Sequence, residues 1–301
     1  MSEIVAAWPR KTREMHNHHM DSTTWNDFVF RDDDVIVSTY AKAGTSWTQQ
    51  IVGQLIFQGD ESVVIQDKSP WWDMLIVPPE ERAAVIAQTH RRVLKTHLPV
   101  DALVLSPKAK YLYVARDGRD VVWSLYNHHA GFIPQMYDLF NNTPGLVGEP
   151  LREPDPDIRS YFNTWLEKDG APFWSFWDNI SSWWAVRDLP NVRLVHFNQL
   201  KADLEGEMRS IADFLEIDLP AAKWPQAVKH CTFDYMHEHA DRYAPLGGMP
   251  WTGGGATFIN KGVNGRWRDV LSPAESAAYE AMAVEKLGAD CAHWLATGER
   301  D

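Results

Sequence analysis

Three side chains are placed as anion binding and proton transfer would need them: Lys42, His97 and Arg116. Lys42 sits in Tyr40-Ala41-Lys42-Ala43-Gly44-Thr45-Ser46-Trp47, directly behind the apolar run Val35-Ile36-Val37. A β-branched run, a small-residue loop and a helix-compatible segment read as strand, loop, helix. The first N–H groups of such a helix lack partners within it and point at an anion in the loop. Gly44 admits close backbone approach, Thr45 and Ser46 add hydroxyls, and Lys42 brings a full charge. That is a phosphate cradle. It is not the nucleotide-triphosphate loop G-x-x-x-x-G-K-[ST], because the lysine precedes the only glycine. An ordinary turn with Lys42 solvated and Ser46 capping the helix fits the octapeptide as well.

His97 ends Arg92-Val93-Leu94-Lys95-Thr96-His97-Leu98-Pro99. A histidine at a strand end is commonly a packing residue, but its ring also suits removal of a hydroxyl proton near neutrality. Arg116 closes the run Val114-Ala115, and Ser124 follows eight residues later, about two turns into the next helix. An arginine fork and a hydroxyl converging there would hold a second phosphate, apart from the Lys42 cradle. The plainer alternative pairs Arg116 and Arg119 with Asp117 and Asp120 at a helix start. Phe258-Ile259-Asn260-Lys261-Gly262-Val263-Asn264-Gly265-Arg266-Trp267 reads as a flexible, positively charged strap.

The elements that must position these residues follow from periodicity. Apolar runs at 35–40, 92–96, 111–115 and 192–197 read as buried strands. Helical patterns cover 45–57, 118–129, 172–187, 200–215 and 271–294. Strands alternating with helices predict one α/β domain over residues 1–301, with a central, mainly parallel sheet flanked by helices. Ligands of such sheets bind at the carboxyl ends of the strands, which draws Lys42, His97 and Arg116 to one edge. Residues 1–24 read as a flexible lead, with His16, His18 and His19 exposed on it. Residues 131–157 hold five prolines and three glycines and read as a lid or substrate loop.

The chain has 301 residues, 45% of them apolar, enough to bury a sizeable core. Its net charge of −12 suggests no nucleic-acid or anionic-membrane surface, so an anionic ligand needs a local cationic patch. Cys231 and Cys291 make no disulfide framework, and no Cys/His spacing resembles a metal site. No signal peptide or membrane span is read, so the expected location is cytoplasmic, without stable membrane insertion. There are fifteen tryptophans. Most are packing, but several at one mouth, Trp71 and Trp72 among them, would make an apolar substrate pocket.

Taken together, these motifs resemble the cytosolic sulfotransferases, which use 3′-phosphoadenosine 5′-phosphosulfate (PAPS) as donor. Residues 40–47 are similar to the family's 5′-phosphosulfate loop Y-P-K-[SA]-G-T-[TS]-W, with Ala41 in place of proline. Lys95-Thr96-His97-Leu98-Pro99 resembles K-T-H-L-P, whose histidine is the catalytic base. Arg116 and Ser124 match the family's 3′-phosphate pair. His196 stands where the family often has an adenine-contacting tyrosine. His230-Cys231-Thr232-Phe233-Asp234-Tyr235-Met236 resembles the adenine-lining H-T-S-F-x-x-M, and Asn260-Lys261-Gly262 the closing R-K-G.

The resemblance implies a PAPS-dependent sulfotransferase with a P-loop-like cradle and 3′-phosphoadenosine 5′-phosphate (PAP) as nucleotide product. His97, Lys42, Lys95 and Ser124 would be catalytic. Lys42, Ala43, Gly44, Thr45, Ser46, Trp47, Arg116, Ser124, His196, Cys231, Thr232, Phe233, Met236, Asn260, Lys261 and Gly262 would bind the donor, with no metal. Trp71, Trp72 and His97 would meet a small-molecule hydroxyl acceptor that is aromatic or lipid-like. A homodimer is possible, although the family's short C-terminal dimerisation motif has no clear match. Alternatives are a nucleotide-binding protein on a degenerate scaffold of this type and a nucleotide-dependent kinase.

Overall fold

The computed structural model describes residues 8–300. Four strands, β1 (Val35–Thr39), β2 (Val93–Thr96), β3 (Lys110–Ala115) and β4 (Val192–His196), form one all-parallel sheet in the order β2-β1-β3-β4. Ile36 pairs with Leu94 on one side and Tyr111 on the other, and Tyr111 with Val192. Both faces are covered, which is why the strands are apolar without alternation. Val35 and Val37 pack with Ile51, Val52 and Leu55 of helix α1 (Thr45–Ile56) on one face. Ile36, Leu94, Tyr111 and Tyr113 face the aromatic-rich opposite layer. That layer includes Val121, Val122 and Trp123 of helix α2 (Gly118–Ala130), Trp177 and Trp183 of the helix Phe176–Ala185, and Trp294.

The sheet order makes the carboxyl edge a crevice. The chain leaves β1 for β2 on one side, then crosses back to β3 and onward to β4. At such a reversal neighbouring loops diverge and leave room for a ligand. The residues following β1, β2, β3 and β4 are Tyr40, His97, Arg116 and Phe197.

Several expected boundaries shift for identifiable reasons. The helix expected over 200–215 is two, Phe197–Ala202 and Leu204–Leu215, because the Asp203 side chain accepts from Gly206 N and caps a new start. That expected over 271–294 breaks at Gly288 into Pro273–Leu287 and Ala289–Thr297. Residues 8–24 are packed rather than loose. Trp8 Nε1 donates to Leu105 O at 3.0 Å, and Met20 and His18 are 1% and 2% exposed. Trp8, Met15 and Met20 supply the apolar contact that holds this segment on the core. Residues 1–7 lie outside the described residues. Within 131–157 a helix, Pro134–Asn141, packs Met136, Tyr137 and Phe140 against Phe132, Leu151 and Trp251. No described helix is long and apolar enough to cross a membrane.

Candidate active site

The crevice opens into a cavity of about 1290 Å³, large enough for a nucleotide and a second small molecule. Lys42, Lys95, His97, Arg116 and Ser124 all line it, so the sheet brings both proposed anion sites and the imidazole into one space. The cradle is built by backbone geometry. Lys42 has φ 67° and Gly44 φ 127°, and a Cβ on Gly44 would sit 3.2 Å from Phe197 Cδ2. Glycine is therefore required there. Ala43 N donates to Tyr40 O at 3.1 Å, and the buried Tyr40 hydroxyl donates to Trp174 O at 3.0 Å. These bonds tie the loop to the segment before the helix Phe176–Ala185.

The cations are held by neutral partners, not by carboxylates. Lys42 Nζ lies 3.1 Å from His128 Nδ1 and 4.4 Å from the Phe258 ring centroid. Lys95 Nζ reaches Gln66 Oε1 at 3.3 Å and Gln49 Oε1 at 3.4 Å, over the Trp71 face. Burial pushes both ammonium groups down to about 7, with Arg116 adding repulsion at Lys42. Arg116 donates from Nε and Nη2 to Asn264 Oδ1, at 3.0 and 2.6 Å, and stacks on Phe197. Burial lowers its pKa to about 10. Asp120 Oδ1 accepts from Gly265 N at 2.7 Å, so the strap after residue 258 docks on both sides of Arg116. Arg119 instead makes the structural pair, donating to Asp117 and Glu280 at 2.7 Å each.

His97 has one nitrogen committed. Its Nδ1 is 2.7 Å from Thr39 O and 3.1 Å from Thr39 Oγ1. A carbonyl only accepts, so Nδ1 carries the proton and the neutral ring keeps its Nε2 lone pair. Burial pushes its pKa down to about 3, the Thr39 carbonyl opposes that, and Lys95 and Lys42 add to it. The ring is therefore neutral at pH 7. Trp174 Nε1 and Asn179 Nδ2 both donate to His97 O, at 2.8 and 2.9 Å, fixing the residue from the aromatic layer.

Thr45, Ser46, Trp47, Thr232, Phe233, Met236, Asn260, Lys261, Gly262 and Trp71 also line the cavity. Trp71 packs against His97 with ring centroids 4.6 Å apart. Four expected contacts do not reach it as side chains. His196 is fully buried, accepting from Asn198 N at 3.2 Å and donating to Leu295 O at 2.9 Å. It caps a helix and anchors the C-terminal segment. The Cys231 thiol is buried, and only its carbonyl contributes, accepting from Trp47 Nε1 at 2.7 Å. Trp72 lies in the core, donating to Thr24 O at 2.8 Å and packing on Phe28. Ala43 is 1% exposed beneath the loop. Sequence reasoning missed Asn264, His128, Phe173, Trp174 and Asn179. Asn264 lay within the strap motif, but nothing in the spacing pairs it with Arg116.

A strand-edge loop with a lysine, a second cation and an oriented imidazole share one cavity, an arrangement that suits handling of an anionic group. The sulfotransferase domain matches residues 32–290, and the chain belongs to that family, as the resemblance to the cytosolic-type enzymes implied. It is similar to the glycolipid sulfotransferase of Mycobacterium tuberculosis (strain ATCC 25177 / H37Ra), 28% identical over 302 residues and covering 93% of each chain. Sulfotransferase 2A6 of Rattus norvegicus is 28% identical over 275 residues, covering 87% of each. Mouse sulfotransferase SULT7A1 complexed with PAP shares the fold at TM-score 0.67 and 18% identity, over 91% of each chain. Retinol dehydratase in a complex with retinol and PAP does so at TM-score 0.67 and 20% identity, over 89% of this chain and 86% of that one. Among the described residues, no cluster of three or more His, Cys, Asp or Glu could hold a metal ion.

Proposed function

We propose that this sulfotransferase takes its sulfuryl group from PAPS and delivers it to the hydroxyl of an apolar or amphiphilic acceptor, with His97 as general base. The observation that carries the reading is the shared cavity of Lys42, His97 and Arg116, with His97 Nε2 left as a lone pair. The residues fit such a donor. Gly44 keeps the loop open to an anion, Lys42 and Arg116 supply separate positive charges, and Trp47 and Phe233 offer aromatic surface. The PAP-bound complexes of structures sharing this fold support the same donor.

When bound, PAPS supplies an activated sulfuryl group and a phosphate leaving group. His97 Nε2 accepts the acceptor's hydroxyl proton. Lys42 and Lys95 present charge where negative charge grows on the transferring and departing oxygens, without needing to reorganise. Arg116 and Ser124 hold the 3′-phosphate, which fixes the reacting geometry. The acceptor half of the cavity is apolar, with Met20, Trp71, Phe132, Met136, Phe140 and Phe173 on its wall. Residues 131–157 contribute several of these and act as the substrate loop. The glycolipid in the name of the mycobacterial relative is an amphiphile, with a lipid body of the kind this wall suits. A cytoplasmic setting, implied by the resemblance, is part of the proposal. The test is incubation with PAPS and an acceptor panel, read by mass for one added SO₃ group. Phenols, sterols and long-chain alcohols should gain it; a panel in which only hydrophilic sugars do would contradict the acceptor reading.

A further inference from the structure

Three imidazoles in the acceptor half have no part in the chemistry just described. His19, His128 and His129 all line the cavity. Phe173 joins them to the base, its ring centroid lying 5.6 Å from His97 and 6.0 Å from His19. The rings of His128 and His129 are 5.6 Å apart. Each has its Nδ1 engaged: His19 with His18 Nδ1, His128 with Lys42 Nζ at 3.1 Å, and His129 with the Tyr161 hydroxyl at 3.4 Å. Among the described residues none of the three Nε2 atoms has a hydrogen-bond partner. Phenylalanine would fill these positions as well if packing were the only demand, as Phe132, Phe140 and Phe173 do alongside. All three residues are half-buried at the cavity wall, so three ring nitrogens without a protein partner stand together where a polar ligand could reach them.

We propose that His19, His128 and His129 form a second polar subsite, which binds an oxygen of the acceptor other than the one receiving the sulfuryl group. The acceptor is then a neutral amphiphile with at least two oxygen functions, a polyol head on an apolar body. This rests on the sulfuryl-transfer reading of the same cavity. The polarity of the subsite follows from its partners. Where Lys42 carries its charge the ammonium only donates, so His128 Nδ1 accepts and the ring proton sits on Nε2, available to donate to an oxygen. His97 holds the opposite tautomer, so a proton acceptor and a hydrogen-bond donor face the same space. Burial pushes His19 and His128 well below the usual imidazole range and His129 down to about 3. Uncharged rings match hydroxyl and ether oxygens and offer no cation to a carboxylate.

The test compares octanol, octanediol and octyl glucoside as acceptors with the full chain and PAPS. Wild type should favour the diol or the glucoside over octanol in kcat/KM by about 10- to 100-fold, since octanol displaces water from these ring nitrogens without replacing its hydrogen bonds. His129→Phe should collapse that ratio toward one, and His129→Gln, which keeps a donor and an acceptor, should restore part of it. PAP binding by calorimetry reports whether each variant is folded; should His129→Phe fail there, His19→Phe carries the same comparison. A wild-type ratio near one, or a ratio that survives both phenylalanine variants, would overturn the subsite while leaving sulfuryl transfer intact. Transfer to no acceptor at all would overturn the enclosing reading instead.

Discussion

At the scale of single residues, the cavity gathers cationic side chains with little access to water, Lys95 and Arg116 being 4% and 8% exposed. Lys42 and Lys95 are lowered to about 7 by burial, so both are partly deprotonated near neutrality in the free protein. A bound dianion stabilises their charged forms and raises those values. The affinity for PAP is then fully present below about pH 7 and declines as pH rises through the free-protein value. Binding at pH 7–8 should also take up protons. Calorimetry in buffers of different ionisation enthalpy reads this directly, and binding without proton uptake would contradict it. Arg116→Ala should weaken PAP binding by about 10-fold or more, since it removes a charge-assisted, forked contact; unchanged affinity would remove Arg116 from the phosphate site. The types of these residues were legible in the sequence because each stands at the end of an apolar run. Their uncharged companions were not. Asn264, His128 and Asn179 act through folded proximity, and no spacing rule brings residue 264 to residue 116.

At the scale of elements, the strand ends set the site and the strap closes it. Gly262 has φ 60°, and a Cβ there would lie 2.4 Å from Phe233 Cδ2. Gly262→Ala should push the strap and Phe233 apart at a cost of about 1–3 kcal/mol, seen as weaker PAP binding in titration calorimetry. Wild-type affinity in that variant would mean that the strap contributes nothing to the nucleotide site. All four strands were legible to within a residue or so, because burial on both faces leaves uninterrupted apolar runs. The helix breaks at Asp203 and Gly288 were not, since the apolar pattern continues across each and only the local cap interrupts it. His196 shows the reverse failure: a position that motif matching assigns to the nucleotide is turned away to cap a helix.

At the scale of the whole molecule, the carboxyl edge is held by contacts well away from it. Arg92 and Asp34 are 2% and 1% exposed and paired by two hydrogen bonds at the start of β1 and β2. Arg92→Ala would strand the Asp34 carboxylate in the core, and should cost about 3–5 kcal/mol of stability in urea titration. A loss under about 1 kcal/mol would show that the pair is dispensable. The aromatic excess that was legible only as composition proves to be the layer that fixes His97, through Trp174 and Asn179 on its carbonyl. A net charge of −12 coexists with a cavity presenting Lys42, Lys95, Arg116 and Lys261, so positive charge is concentrated locally against an acidic background.

The central claim is that His97 moves the acceptor's proton within a cavity whose donor site is independent of it. The most direct measurement is the single-turnover rate of sulfuryl transfer in His97→Ala, taken beside that variant's affinity for PAP. The account predicts a rate lower by about 10²–10⁴-fold with PAP affinity within a few-fold of wild type. A rate close to wild type would contradict it.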